Sequence, residues 1–258
     1  MARGRGVTDP GVIGVAISLV LVALALGISL LNGLKLEGDL TIATVRAVVQ
    51  LSVVALVITF VFEHELLATG VVVVMLAAAA WTSGGRLKGL PRARMLAVFA
   101  ISSGSIIALV ILFGAGVFEL EPRYLIPIAG MLIGNCMTAV SVAGTRVSEE
   151  LRDKTLEVEA RLALGVRAKD ALRPYIRRAA TTALIPVIDT TKTVGLITLP
   201  GAFTGMLLAG ATPAQAARVQ LVVLFMLLGA VAIAGMATTM LVTRMFVGPG
   251  ERIVSPVN

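Results

Sequence analysis

The fold is decided by one charged stretch, residues 144–179, with the sequence GTRVSEELRDKTLEVEARLALGVRAKDALRPYIRRA. It holds nine of the 22 basic residues of the chain, together with six carboxylates. Within it, apolar residues recur at helical spacing while charged residues fill the other faces. These apolar residues are Val147, Leu151, Val158 and Leu162. The pattern predicts an amphipathic helical segment outside the bilayer core, which we call the elbow (residues 144–179).

The rest of the chain is apolar enough to lie in lipid. Of its 258 residues, 57% are hydrophobic and only 14% are charged, whereas about 25% are charged in soluble proteins. The mean hydropathy is +0.97. The net charge of +7 fits the excess of basic residues in cytoplasmic loops better than nucleic-acid binding, because no aromatic platform accompanies it. We therefore expect an integral membrane protein without a nucleic-acid partner.

Apolar segments separated by polar turns predict an all-α, polytopic membrane protein with about seven transmembrane helices. The segments are 12–31, 40–62, 66–81, 95–117, 124–143, 180–208 and 221–243. We expect them to form a single transmembrane domain over residues 1–258. The third segment reaches spanning length only by including residues 82–85. A six-span alternative, with this segment re-entrant, therefore stays open.

The distribution of basic residues predicts the orientation of the elbow. With seven spans and a cytoplasmic elbow, 16 of the 22 basic residues fall inside, four outside and two within the membrane. This bias places the elbow and the loop at 84–94 in the cytoplasm, and the turn around His64 outside. It leaves the side of the N-terminus open. We expect the chain to lie in the plasma membrane.

Ionisable residues within predicted spans are costly and therefore mark candidate functional positions. Asp189 and Lys192 lie three residues apart on the sixth segment, where we expect them to pair. Arg46, with Gln50 one turn further along the second segment, is expected to reach the same interior. Two interpretations stay open: the residues line a solute route, or they form a polar clamp between helices.

Polar residues of the fifth segment and a helix-breaking pair in the sixth extend this candidate route. Asn135, Thr138 and Ser141 follow one another at steps of three, which places them along one face of a helix. Cys136 offers a soft metal ligand, although a lone cysteine in a membrane helix is more often a packing residue, so the metal ligands stay unknown. Pro200 and Gly201 predict a helix break, because they free backbone groups that lipid cannot satisfy.

Residues 159–165, EARLALG, resemble the cytoplasmic coupling motif E-A-A-x-x-x-G of ABC permeases, with Arg161 replacing the second alanine. Further motifs flank it in order: GNCMTAVS at 134–141, IPVIDTTKTVGL at 185–196 and LPGAFTG at 199–205. Over about residues 40–246, the chain resembles the FetB family of iron-export ABC permeases, whose plant relatives are tied to aluminium tolerance.

The resemblance implies a permease subunit that exports a metal cation, iron, and works with a separate cytoplasmic ATPase. The chain has no P-loop, so we expect it to bind no cofactor and the ATPase subunit to use the ATP. A lone permease with one elbow suggests a homodimer. The positions implied to contact the ATPase are Glu159, Ala160, Leu162 and Gly165. Two alternatives are an exporter of an organic or nucleotide-sugar solute and a membrane scaffold that holds a cytoplasmic partner without transport.

Overall fold

The computed structural model describes residues 11–87 and 90–248, so Lys88 of the predicted basic loop lies outside the described residues. Within the described ranges, nine helices follow one another and no β-strand forms, which confirms the predicted all-α class. The helices are α1 (Gly11–Asn32), α2 (Glu37–Phe62), α3 (Glu65–Arg86), α4 (Ala93–Gly114), α5 (Pro122–Asp153), α6 (Thr155–Ala163), α7 (Ala168–Thr193), α8 (Gly201–Leu208) and α9 (Pro213–Phe246).

In the described part of the chain, six of these helices are long and apolar enough to cross a membrane: α1, α2, α3, α4, α5 and α9. The form of helix α3 favours the seven-span topology. Helix α3 is one continuous helix of 22 residues, which corresponds to about 33 Å at the α-helical rise. Residues 82–85 extend the helix to spanning length, so α3 does not have the bent form of a re-entrant segment.

The predicted sixth span, residues 180–208, is not one helix. Helix α7 ends at Thr193 and α8 begins at Gly201, and a tight turn joins them. In that turn the Gly195 N–H donates to the Thr198 carbonyl at 2.9 Å. Gly195 has φ +83°, a conformation that L side chains rarely adopt. The predicted sixth span therefore corresponds to the second half of α7, a turn and the short helix α8, which we call the broken segment.

The helices divide into two compact units, of which the first contains α1 and α2. The Ser29 hydroxyl at the end of α1 donates to the Glu37 carboxylate at 2.7 Å and accepts from the Leu36 N–H at 3.2 Å, which fixes the turn between the helices. Most apolar side chains of α1 and α2 are exposed, which is the arrangement expected of helices that contact lipid. The single domain over residues 1–258 stays a prediction.

The second unit contains α3 to α9 and is built around α5, which packs against α3, α4, α7 and α9. Leu132, Cys136 and Val140 of α5 are fully buried in its core. Small residues let the helices approach closely. Gly104 of α4 lies so near the Ala230 carbonyl of α9 that a Cβ atom would collide with it. This packing fixes α5 and α7, the helices that carry most of the candidate site.

Candidate functional site

The predicted amphipathic helix of the elbow, over residues 147–162, is divided into two helices, whereas the break expected after it at residues 165–167 does separate α6 from α7. Helix α5 continues through the first part of the elbow to Asp153, the backbone breaks at Lys154, and α6 follows as a separate helix of nine residues. No proline interrupts α5 at the predicted end of the span, and the Gly144 backbone packs against Leu87 and Thr238. The first part of the elbow is therefore a rigid extension of a core helix.

The apolar stripe of the elbow packs on the chain itself. Val147, Leu151 and Val158 are buried and belong to the same core cluster as Leu172 and Tyr175 of α7. Burial raises the pKa of the Tyr175 hydroxyl, and the charge of Glu157 acts in the same direction. Val147, Leu151 and Val158 are therefore not available to a partner, whereas Leu162 is only half-buried.

A different face of α6 is open. Leu156 and Leu164 are 82% and 83% exposed, and Ala160 and Ala163 are exposed between them. This spacing of four and eight residues places Leu156, Ala160 and Leu164 on one side of the helix. We call Leu156, Ala160, Ala163 and Leu164 the outer face of α6. Of these residues, only Ala160 was singled out from the sequence; Leu156 and Leu164 were missed because neither belongs to the predicted apolar stripe or to the coupling-motif positions singled out.

The residues implied to contact an ATPase lie around this outer face. Glu159 and Ala160 are exposed, whereas Leu162 is half-buried and packs against the core. Gly165 ends α6 with φ +81°. Its N–H donates to the Leu162 carbonyl at 2.9 Å, and the Val166 N–H donates to the Arg161 carbonyl at 3.1 Å. These two bonds form a Schellman cap, which fixes the direction in which the chain leaves α6.

Asp189 and Lys192 are exposed on α7, and the ion pair expected between them is not formed. Among the described residues, the ion pairs lie elsewhere, at 146–149, 157–161, 167–170 and 150–178. Spacing of three residues brings side chains near one another, but two exposed long side chains gain little from holding one geometry. Among the described residues of the second compact unit, no helix covers Asp189 and Lys192 to hold the pair together.

The polar residues of α5 divide between two faces. Asn135 and Thr138 are exposed, and each donates to its own helix, to the Met131 carbonyl at 2.8 Å and to the Gly134 carbonyl at 3.2 Å. Cys136 is fully buried in the core. The predicted continuous stripe is therefore interrupted, because Ser141 is also buried.

Ser141 points toward α3, where its Oγ lies 3.0 Å from the Ser83 Oγ. Sequence reasoning missed Ser83, the one serine of α3, because nothing in the sequence shows that it faces α5. In the described part of the chain, no group of three or more His, Cys, Asp or Glu side chains is arranged to hold a metal ion. The metal ligands therefore stay unassigned.

The other predicted positions are distributed as follows. Arg46 and Gln50 are exposed one turn apart on α2, in the first compact unit. Pro200 caps the N-terminus of α8 and Gly201 is the first residue of that helix. The predicted break therefore coincides with the interruption between α7 and α8.

Two cavities lie along the seam that α5 forms with the broken segment. At the end of α5 away from the elbow, a cavity of about 750 Å³ is bounded by Pro127 and Met131 of α5 and by Gly205 and Met206 of α8. At the elbow end, a cavity of about 390 Å³ lies between α5 and α7. Its lining includes Arg86, Ser141, Thr145, Arg146 and Thr182. The seam is thus open at both ends, with Ser141 near one of them.

The helices and this seam define a class of protein: a polytopic, all-α integral membrane protein with a broken helix beside its central span and a rigid elbow. The chain belongs to the uncharacterised protein family UPF0014, whose family model matches residues 12–247. The resemblance predicted from the motifs is thereby confirmed.

Three relatives illustrate the similarity. The chain is 38% identical over 235 residues to Protein ALUMINUM SENSITIVE 3 of Arabidopsis thaliana, covering 90% of this chain and 85% of the relative. It is 39% identical over 222 residues to UPF0014 membrane protein STAR2 of Oryza sativa subsp. japonica, covering 85% and 78%. It is 33% identical over 241 residues to Probable iron export permease protein FetB of Escherichia coli, covering 93% of each. No solved structure matches the chain.

Proposed function

We propose that the chain is the permease subunit of an ABC transporter that exports a metal cation, iron, from the cytoplasm across the plasma membrane. ATP is hydrolysed by a separate cytoplasmic ATPase, and this chain binds no cofactor. The similarity to the Escherichia coli protein named as a probable iron export permease supports the direction and the cargo. The alternatives are an organic or nucleotide-sugar solute, or a scaffold without transport.

The outer face of α6 is the observation that carries this proposal. It presents two leucines that are more than four-fifths exposed on the helix that carries the coupling-like sequence. The opposite face of α6 is anchored, because Val158 is 1% exposed in the core. A helix held on one side and apolar on the other suits insertion into a groove of a partner. Force applied there by ATPase closure would reach α5 and α7 directly.

A homodimer is supported by the polar side chains that one chain leaves exposed at membrane depth. Asn135, Thr138, Asp189 and Lys192 are exposed on α5 and α7. Charged side chains in a membrane face a protein or a water-filled cavity, because lipid contact is costly. A second copy placed against these faces would enclose a polar route along the seam. The break at Pro200 and Gly201 would let α8 move relative to α7.

Iron content of cells tests the proposal. Cells that lack the gene should accumulate iron and become more sensitive to peroxide, and the wild-type gene should restore both properties. An Asp189→Asn copy should fail to restore them although it reaches the membrane, because it removes the carboxylate of the proposed route. The matched Asp153→Asn copy, changed on the elbow, should restore them. Unchanged iron content in the deletion, with the ATPase still present, would contradict metal export and favour an organic solute.

A further inference from the structure

A basic cavity of about 870 Å³ lies between the elbow end of α5 and the first half of α7. Four guanidinium groups and two carboxylates line it, so the lining carries a formal charge of 4 − 2 = +2. The charged residues of the lining are Arg146, Arg173, Arg177, Arg178, Glu150 and Asp170. Thr181 adds a hydroxyl group at one end, whereas the Thr182 hydroxyl donates to the Arg178 carbonyl of its own helix at 3.0 Å. Cationic donors and hydroxyl groups around an open space are the chemistry that binds an oxyanion.

The ion pairs around the cavity leave two arginines available. Asp170 pairs with Arg167 at 3.4 Å, outside the lining, and Arg178 approaches Glu150 at 3.9 Å. The side chains of Arg173 and Arg177 form no ion pair or hydrogen bond within residues 11–87 and 90–248. Their spacing of four residues places them on one face of α7. Two free guanidinium groups one helical turn apart can both reach one phosphate group.

The cavity lies at the predicted boundary between the charged elbow and the apolar segments. Arg177 and Arg178 are the last charged residues of the elbow, and the apolar run of α7 begins immediately after them. The cavity of about 390 Å³ described above adjoins this one, sharing Arg146 and Thr182 and adding Arg86 from the end of α3. Guanidinium donors of α3, α5 and α7 therefore converge beside the predicted edge of the apolar segments, and α3 and α5 are long and apolar enough to cross a membrane.

We propose that this cavity binds a phosphate group, the chemistry carried by the headgroup of an anionic phospholipid. Arginine suits this ligand because its planar donors match phosphate oxygens in pairs. Basic cavities between transmembrane helices on the cytoplasmic side are typical sites for acidic headgroups. The site holds α5 and α7 together at the origin of the elbow. A soluble phosphate compound carries the same group, and the experiment below separates the two sources.

Native mass spectrometry of the purified full-length chain tests the proposal, with palmitoyl-oleoyl phosphatidylglycerol and the matching phosphatidylcholine as probes. The wild type should retain phosphatidylglycerol in preference to phosphatidylcholine. The double variant Arg173→Gln, Arg177→Gln should lose about 30-fold in phosphatidylglycerol affinity, since each arginine near an acidic headgroup contributes about fivefold. The variant Arg173→Lys, Arg177→Lys keeps the charge and should retain most of the preference.

The matched control is Arg152→Gln, Lys169→Gln, which removes the same charge from exposed elbow positions outside the cavity. It should bind phosphatidylglycerol like the wild type. Equal losses of phosphatidylglycerol affinity in both glutamine variants would overturn the proposal. Such a result would mean that the net positive charge of the elbow, and not this cavity, attracts the lipid. Inorganic pyrophosphate supplies the second arm. If pyrophosphate binds the wild type but not the Arg173→Gln, Arg177→Gln variant, and the wild type shows no preference for phosphatidylglycerol, the cavity binds phosphate and its ligand is a soluble compound. Absence of both binding reactions would overturn the proposal.

Discussion

The side chains of Ser141 on α5 and Ser83 on α3 form a buried hydrogen bond, with 3.0 Å between their Oγ atoms. Ser141 also donates to the Met137 carbonyl of its own helix at 2.8 Å. The bond joins the central helix to the helix whose continuity favours the seven-span topology. A residue predicted from its spacing to line a route thus holds two helices together in this chain.

This bond leads to a prediction about stability. Ser141→Ala leaves the Ser83 hydroxyl without its partner and should lower the free energy of unfolding by about 1 kcal/mol, the scale of hydrogen bonds between membrane helices. The double variant Ser83→Ala, Ser141→Ala should cost less than the sum of the two single changes. Thermal unfolding in detergent measures all three. Additive losses, together with a transport defect in Ser141→Ala alone, would assign Ser141 to the route instead.

The contact between α4 and α9 predicts a steric effect at one glycine. Gly104→Ala places a Cβ atom against the Ala230 carbonyl and 3.1 Å from the Ala234 Cβ. Overpacking of this kind typically costs about 1–3 kcal/mol, so the thermal midpoint in detergent should fall. Gly229→Ala is the matched control, because a Cβ atom there meets nothing within 4 Å. Equal midpoints for the two variants would show that the helices separate easily at this contact.

The outer face of α6 predicts the effect of a pair of surface changes. Leu156→Ser, Leu164→Ser should leave the stability of the chain unchanged, because both side chains are exposed. It should weaken association with the ATPase by about tenfold or more, since burying one leucine contributes about 1.5–3 kcal/mol. Co-purification of the P-loop subunit and its ATP hydrolysis are the measurements.

Leu120→Ser, an exposed leucine on the loop at the other end of α5, is the control for this pair and should leave association intact. Full association and full ATP-driven transport in the α6 variant would exclude this face as the coupling surface.

The orientation of the elbow predicts a labelling pattern. A cysteine at His64, which is exposed between α2 and α3, should react with an impermeant maleimide in intact cells. A cysteine at Arg152 on the elbow should react only after lysis. The native Cys136 is fully buried and should stay unlabelled in both cases. Labelling of the His64 position only after lysis would place that position on the cytoplasmic side and would support the six-span topology.

Hydrophobic segments and motifs were sufficient to predict the class of the fold and the family. The length of residues 66–85 already allowed a spanning helix, and α3 forms one. Partners of individual side chains were harder to predict, because periodicity identifies a helix face without saying what covers it. The sequence therefore did not show that Val147, Leu151 and Val158 of the elbow stripe pack in one core with side chains of α7.

In the candidate site, too, the sequence identified residues but not the side chains that contact them. The spacing of Asp189 and Lys192 permits an ion pair, but whether it forms depends on neighbouring helices that the sequence does not place. The Ser83 partner of Ser141 and the basic cavity between α5 and α7 arise only when distant segments meet. The helix break could be predicted, because proline and glycine act through their own backbone chemistry.

Transport in reconstituted vesicles tests the central claim most directly. The chain and its ATPase are inserted into liposomes, and vesicles with the ATPase facing outward are supplied with radioactive iron(II). The account predicts that iron accumulates inside when ATP is added and fails to accumulate with a non-hydrolysable analogue or with the Leu156→Ser, Leu164→Ser chain. ATP hydrolysis that proceeds at the full rate without any accumulation of iron would contradict the account.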